Sequence, residues 1–440
     1  LHTDLKWSTN TEDKKRASKY IESILLMLRT KVLLNNGDLS KTEIVWFYPA
    51  SMTQNRFNKF KAEWENTFAT LFGAPISNII AASESVAPYY YHKAKKGATS
   101  TVVSVDIGGG TTDVLIVDKG EPKYLTSFRF AANTIFGDGY SYDSDSNGFV
   151  NKYKDIITNQ LETNNLRGLK AVLKSVLDKR VSTDVIAFLF SLASNKEIKK
   201  EKVEINFAKM LADDNRGKYV VILFYVAIVY HIAKLMKAKG FDMPRHMTFS
   251  GNGSKVLNIL STNDATLVRL TKIIFEEIYA QSYSIDGLDI IRPANSKEST
   301  CKGGIILTPF QSQDYGEIKD MKTILIGTDN EKFADVHMTY NDVTEADLDS
   351  VVDVIKEYIE FTFKLDKKFS FYDNFDVDRS IMNKVKDLCY RDIRTYLENG
   401  LAIKKSEIAQ DGADDNLEET LFFYPLVGII NAVVRNIYQM

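Results

Sequence analysis

The sequence predicts an α/β protein. Three observations lead there: strand-like and helical runs alternate over the first hundred residues, two apolar strands then meet across three consecutive glycines, and helical periodicity dominates the remainder. At 440 residues the chain exceeds one compact core, so two or three domains are expected.

The elements follow in order. From Ala17 to Leu34 the residues Ile21, Ile24, Leu25, Leu28 and Val32 recur at helical spacing and end at the turn residues NNGD. TEIVWFY (Thr42 to Tyr48) is β-branched and aromatic, hence a strand, and the helical run FNKFKAEWENTFATLF follows. A short strand NIIAA and a helix opening at SESVAPYYYHKAKKG complete a β/α alternation, which implies parallel neighbours. TVVSVDI, DVLIVD and YLTSFRF then read as an antiparallel meander. Gly148 to Asp213 is polar and helical, an expected insertion, followed by the apolar helix Tyr219 to Met236, the strand HMTFS and the loop GNGSK. Beyond Leu307 a hairpin around TDNEKF is expected, then helices from Glu345 to Phe363 and from Arg379 to Gly400. The final apolar run, interrupted by Pro425 and Gly428, is expected to be a packed terminal helix and not a membrane anchor.

Composition excludes several classes. Lysine and arginine (56) nearly balance aspartate and glutamate (58), so no dedicated nucleic-acid or anionic-membrane binder is expected. Two cysteines outside any CxxC pattern and five scattered histidines give neither a disulfide framework nor a zinc site, which fits a reducing cytoplasm. The run YVVILFYVAIVYHIA is shorter than the roughly 20 residues a spanning helix needs, and is expected to be a buried helix. The chain starts at Leu1 with a polar segment lacking a secretory apolar core, as expected of a processed chain or a piece of a longer one.

Chemistry concentrates in VVSVDIGGGTTDVLIVD, Val102 to Asp118. Bare backbone at Gly108, Gly109 and Gly110 lets amides and the hydroxyls of Thr111 and Thr112 surround an anion, phosphate being the natural candidate. Asp106 and Asp113 would repel that phosphate without an intervening hard cation such as magnesium. The alternative is a tight hairpin whose glycines serve only positive φ. No GxxxxGK[ST] occurs, GNGSKV lacks the third small residue of a dinucleotide fingerprint, and DSDSNG has Lys154 where a calcium loop needs glutamate, so it reads as a solvated turn.

The ordered stretches SESVAPYYYHKAKKG, VVSVDIGGGTTDVLIVD, FAANTIFGDGY, MTFSGNGSK and STCKGGIIL resemble the ATPase superfamily of actin, DnaK-type heat-shock chaperones, bacterial actin-like filament proteins and sugar kinases. The resemblance covers Glu43 to Leu307. It implies a two-lobed actin-like fold with ribonuclease-H-like cores closing on ATP or ADP with magnesium. Residues 1–98 would be the remainder of the first lobe, 99–309 the second lobe with a helical insertion at about 141–216, and 310–440 a mostly helical C-terminal extension. It further implies that Asp106 and Asp113 hold the metal, with Asp106 and Glu84 as catalytic residues. Gly108, Gly109, Gly110, Thr111, Thr112, Asp113, Gly137, Asp138, Gly251, Asn252, Gly253 and Ser254 would contact nucleotide. The helices near Glu84 and Gly303 would form a hinge.

The departures are equally specific. Nothing before Trp46 resembles the superfamily's first phosphate hairpin, its cleft lysine has no match, and nothing after Leu307 resembles the chaperone peptide-binding domain. The expected function is therefore ATP binding with slow magnesium-dependent hydrolysis coupled to lobe closure, and a protein partner meeting the insertion or extension. The alternatives are a non-catalytic scaffold that retains the fold and a nucleotide-dependent filament protein.

Overall fold

The computed structural model describes residues 11–49, 52, 54–84, 86–96, 101–141, 143–284, 287–293, 296–306, 338–411, 416–417 and 419–440. The hairpin expected around TDNEKF lies, apart from residues 338–343, outside them.

The chain opens with α1 (Thr11–Leu34), β1 (Ile44–Tyr48), α2 (Gln54–Phe72) and β2 (Ile79–Ser83). β1 and β2 pair in parallel, from Ile44 opposite Ile79 to Tyr48 opposite Ser83. Their core is aromatic: Trp46 stacks on Trp64 with ring centroids 5.5 Å apart, and Phe57, Phe68 and Phe72 of α2 close around it with Ile21 and Leu25 of α1. The helical periodicity of α1 thus places only part of its apolar stripe inside; Met27 and Leu34 remain exposed.

Helix α3 (Val86–Lys96) leads into a five-stranded sheet. β3 (Val102–Ile107), β4 (Thr112–Asp118) and β5 (Glu121–Phe128) form the expected antiparallel meander. β6 (His246–Ser250) then pairs in parallel with β3, and β7 (Asp289–Ile291) in parallel with β6. The order β5-β4-β3-β6-β7, with β4 alone running against the others, fits the ribonuclease-H-like core that the resemblance implies. It sets the ends of β3 and β6 side by side, where α/β sheets usually hold ligands.

Between β5 and β6 lie the short α4 (Ala132–Phe136) and α5 (Gly148–Thr163), α6 (Arg167–Leu177), α7 (Ser182–Ser191), α8 (Lys196–Lys200) and α9 (Phe207–Ala212). Helix α10 (Lys218–Ala238) is apolar on every side, as a core helix must be. Among the described residues it is one helix long and apolar enough to cross a membrane, and 94% of its apolar window is buried inside the protein. α11 (Leu257–Leu260) and α12 (Asp264–Tyr279) precede β7, and α13 (Ser296–Ile306) follows it.

The C-terminal helices are α14 (Glu345–Phe369), α15 (Phe371–Phe375), α16 (Met382–Cys389), α17 (Ile393–Asp411) and α18 (Phe423–Asn436). A capping box between Thr344 and Asp347 starts α14. The single helix expected from Arg379 to Gly400 is instead two, because Asp392 adopts φ 54° and turns the chain. The last run forms the packed terminal helix expected of it, continuous through Pro425 and Gly428. Pro425 falls in the first turn of α18, where its missing N–H costs no helical bond. Gly428 admits the Tyr396 ring, whose Cγ would lie 2.2 Å from a Cβ there. Phe423 stacks on Phe128 at 3.9 Å, so these helices share one continuous core with the sheet.

Candidate functional site

One row of side chains crosses the sheet at the end of β3. Asp106 stands directly opposite Asp113 on β4, Asp113 opposite Ser127 on β5, and Asp106 opposite Ser250 on β6. All four are buried, the two carboxylates at 3% and 1% exposure. Ser250 Oγ donates to Asp106 Oδ2 at 3.2 Å. Ser127 Oγ, at the other end, is buried without a hydrogen-bond partner. Directly opposed like charges destabilise a sheet unless something offsets them, and a buried orphan hydroxyl is costly too.

Strand alternation decides which neighbouring groups share this face. Asp113 points with Leu115 and Val117 toward α3, whereas Thr112 points with Val114 and Ile116 into the opposite core. The Thr112 hydroxyl is consequently engaged inside, donating to the Phe130 carbonyl at 2.6 Å. Of the two threonines, Thr111 remains at the hairpin tip, where its carbonyl accepts from Gly108 N at 2.8 Å.

None of Gly108, Gly109 and Gly110 has positive φ, so the purely conformational reason for three glycines does not apply. Gly109 is exposed and would accept a Cβ 3.6 Å from the Asn133 side chain. The first two amides of α4 are already used: Ala132 N donates to Gly108 O at 3.3 Å and Asn133 N to Gly109 O at 2.8 Å. The hairpin is thereby fixed to α4 through its carbonyls.

The loop after β6 lies on this hairpin. Gly251, with φ +80°, has Ile107 O 2.2 Å and Asp106 Oδ1 2.3 Å from where its Cβ would be; for Gly253 the nearest atom is Gly108 O at 2.1 Å. These glycines are required for the loop to lie on the hairpin backbone, independently of any ligand. Asn252 is exposed, and Ser254 is buried with its hydroxyl donating to Gly251 O at 2.8 Å.

The N-terminal unit reaches the same row. Burial pushes the Tyr48 phenol up to about 12, and the Asp113 carboxylate adds to the shift, so the end of β1 faces the acidic pair. Glu84 follows β2 there, its amide donating to Tyr48 O at 3.0 Å. Beneath, α3 and α13 cross so closely that a Cβ on Gly303 would lie 1.8 Å from Ala87 O. Gly137 and Asp138 sit beyond α4. Asp138 accepts from the Ser182 hydroxyl and, at 3.2 Å, from Ser182 N, holding the start of α7. Burial raises the Asp138 carboxyl above its usual range against those two bonds.

Sequence reasoning missed a second group of residues. A cavity of about 350 Å³ opens beside Gly110, walled by Asn133 and Gly137 on one side and by Lys404, Glu407 and Tyr424 on the other. Arg129 Nη1 lies 2.5 Å from Glu407 Oε2, and Arg129 N donates to Glu419 Oε2 at 2.8 Å. Glu419 also meets Lys404 at 3.6 Å and accepts from Tyr424 OH at 3.1 Å. No motif marks these residues, and chain separations near 280 hide them.

Among the described residues no group of three or more His, Cys, Asp or Glu side chains forms a metal cage. The Asp106–Asp113 pair with its flanking hydroxyls suits instead a hard cation that keeps several waters and takes its remaining ligands from phosphate.

No family model matches the chain, and no curated protein does. Among solved structures it is similar to the ethanolamine utilization protein EutJ from Carboxydothermus hydrogenoformans, at 13% identity and TM-score 0.30, over 66% of this chain and 74% of that one. It is also similar to MreB5 of Spiroplasma citri bound to ADP, at 13% identity and TM-score 0.29, over 67% and 77% of the two chains.

Proposed function

We propose that the chain binds a nucleotide with magnesium at the β3–β4 hairpin, as a member of the actin-like and DnaK-like ATPase superfamily. The observation that carries this reading is the buried Asp106–Asp113 pair beside an exposed glycine tip. Asp106 and Asp113 would hold the cation through its waters, and the backbone of Gly108 to Thr111 would meet the phosphates. Magnesium supplies charge neutralisation there; the chain contributes position and the exclusion of water.

Slow hydrolysis is the further part of the proposal, with Glu84 as the group that orients water. Its support is that Glu84 and Tyr48 stand at the end of the N-terminal sheet that faces Asp113. Coupling to lobe closure is supported by the α3–α13 crossing at Ala87 and Gly303, a close contact about which two units can turn. A partner site on the insertion fits its exposed Ile156, Val172 and Phe190. A non-catalytic scaffold keeps a specific observation in its favour: Thr112 and the α4 amides serve the protein itself.

Equilibrium binding of ADP with and without magnesium, alongside phosphate release from ATP, separates these readings. Magnesium-dependent binding with slow release supports the ATPase, binding without release supports the scaffold, and no binding rejects the nucleotide site.

A further inference from the structure

We infer that Ser127 is a positioning residue of the proposed site: its buried hydroxyl holds a water against the Asp113 carboxylate and so sets that carboxylate toward the cation. This rests on the nucleotide reading above. No part of the glycine hairpin motif includes Ser127; strand register alone brings it there, on β5 directly opposite Asp113.

The position is one that an apolar side chain would ordinarily fill. On this face of β5 the preceding pair is Leu125 opposite Leu115, and both leucines pack with Val86 and Ala87 of α3. At Ser127 the same face is still fully buried, yet it carries a hydroxyl with no hydrogen-bond partner within the protein. Burying a hydroxyl unpaired costs stability, and alanine there would avoid the cost. The folded chain alone gives this hydroxyl nothing to do.

The rest of the row supplies a task. Ser250, Asp106, Asp113 and Ser127 stand on four neighbouring strands, with a hydroxyl at each end and the two carboxylates between them. Ser250 donates to Asp106 Oδ2 at 3.2 Å, which orients one carboxylate, whereas Ser127 makes no such bond. Adjacent strands lie about 4.8 Å apart, a gap that one water closes with two hydrogen bonds. Such a water donates to the Asp113 carboxylate and accepts from the Ser127 hydroxyl. Groups that fix a ligand from behind tune how well it holds a cation, and Ser127 and Ser250 do this from the two ends of the row.

The test compares Ser127→Ala and Ser250→Ala with the unaltered chain. Each is unfolded in urea without ligand, and the magnesium concentration that gives half-maximal ADP binding is measured by equilibrium dialysis. Ser127→Ala is expected to raise that concentration by about threefold or more. Its ligand-free urea midpoint should be unchanged or higher, because no hydrogen bond within the protein is lost. Ser250→Ala, which removes a bond to Asp106, should lower the midpoint and calibrates the loss of such a bond. An unchanged magnesium requirement in Ser127→Ala overturns the inference and leaves the nucleotide reading standing. A urea midpoint lowered in Ser127→Ala as far as in Ser250→Ala also overturns it, since the hydroxyl would then serve the fold. Failure of the unaltered chain to bind ADP with magnesium overturns both.

Discussion

Asp106 and Asp113 face each other across the β3–β4 hairpin, both buried, with the Ser250 hydroxyl on one side and the unpaired Ser127 hydroxyl on the other. Opposed carboxylates cost a sheet stability unless positive charge meets them, and on the proposed reading a magnesium ion with its waters contributes that charge. Asp113→Asn should reduce the stabilisation that magnesium and ADP together give the chain. Urea unfolding with and without magnesium and ADP measures it; an undiminished ligand-induced shift contradicts a role for Asp113 in the site.

Two glycine substitutions separate folding from binding. Gly251→Ala places a Cβ 2.2 Å from Ile107 O at φ +80°, and should cost about 2 kcal/mol or more. Gly109→Ala meets only the Asn133 side chain at 3.6 Å, and should leave stability within about 1 kcal/mol while reducing phosphate affinity. Thermal melts and tripolyphosphate titration check the pair; equal destabilisation would count against the exposed tip.

His231 gives a pH prediction. Burial among Phe128, Phe422 and Phe423 lowers its pKa to about 3, with Nδ1 unpaired. The unfolded chain takes up this proton below about pH 6.5 while the folded chain stays neutral, so stability present above that value is lost as pH falls toward 3. Between pH 7 and pH 5 the histidine should remove about 2 kcal/mol. His231→Phe should lessen that loss; denaturant curves at the two pH values that fall in parallel for both proteins would refute the assignment.

The C-terminal helices depend on a buried ion network. Lys404 and Glu419 are 5% and 1% exposed, and Lys404→Ala leaves the carboxylate with less compensation. A loss of about 3 kcal/mol is expected. Lys404→Met and Glu419→Gln together should recover part of it, measured by the same unfolding curves.

Local pattern made much of this legible. Alternation and turn residues gave the β3–β4–β5 meander, and uniform apolarity gave the buried α10. Alternation also places Thr112 on the face opposite Asp113, so its hydroxyl turns into the core while Thr111 stays at the hairpin tip. What short-range pattern could not supply was contact between distant segments. The need for glycine at 251 and 253 lies in the backbone at Ile107 and Gly108, and Arg129 meets Glu407 and Glu419 across 278 and 290 positions. Asp392 ended a helix through its left-handed backbone, although helical periodicity ran through it.

The central claim is that the acidic pair binds nucleotide through magnesium. Calorimetric titration of ADP into the unaltered chain and into Asp106→Asn, each with magnesium and with excess chelator, tests it most directly. The account predicts binding to the unaltered chain that chelator abolishes, and binding to Asp106→Asn weaker by about tenfold or more. Binding of equal strength in all four titrations, or in none, would contradict it.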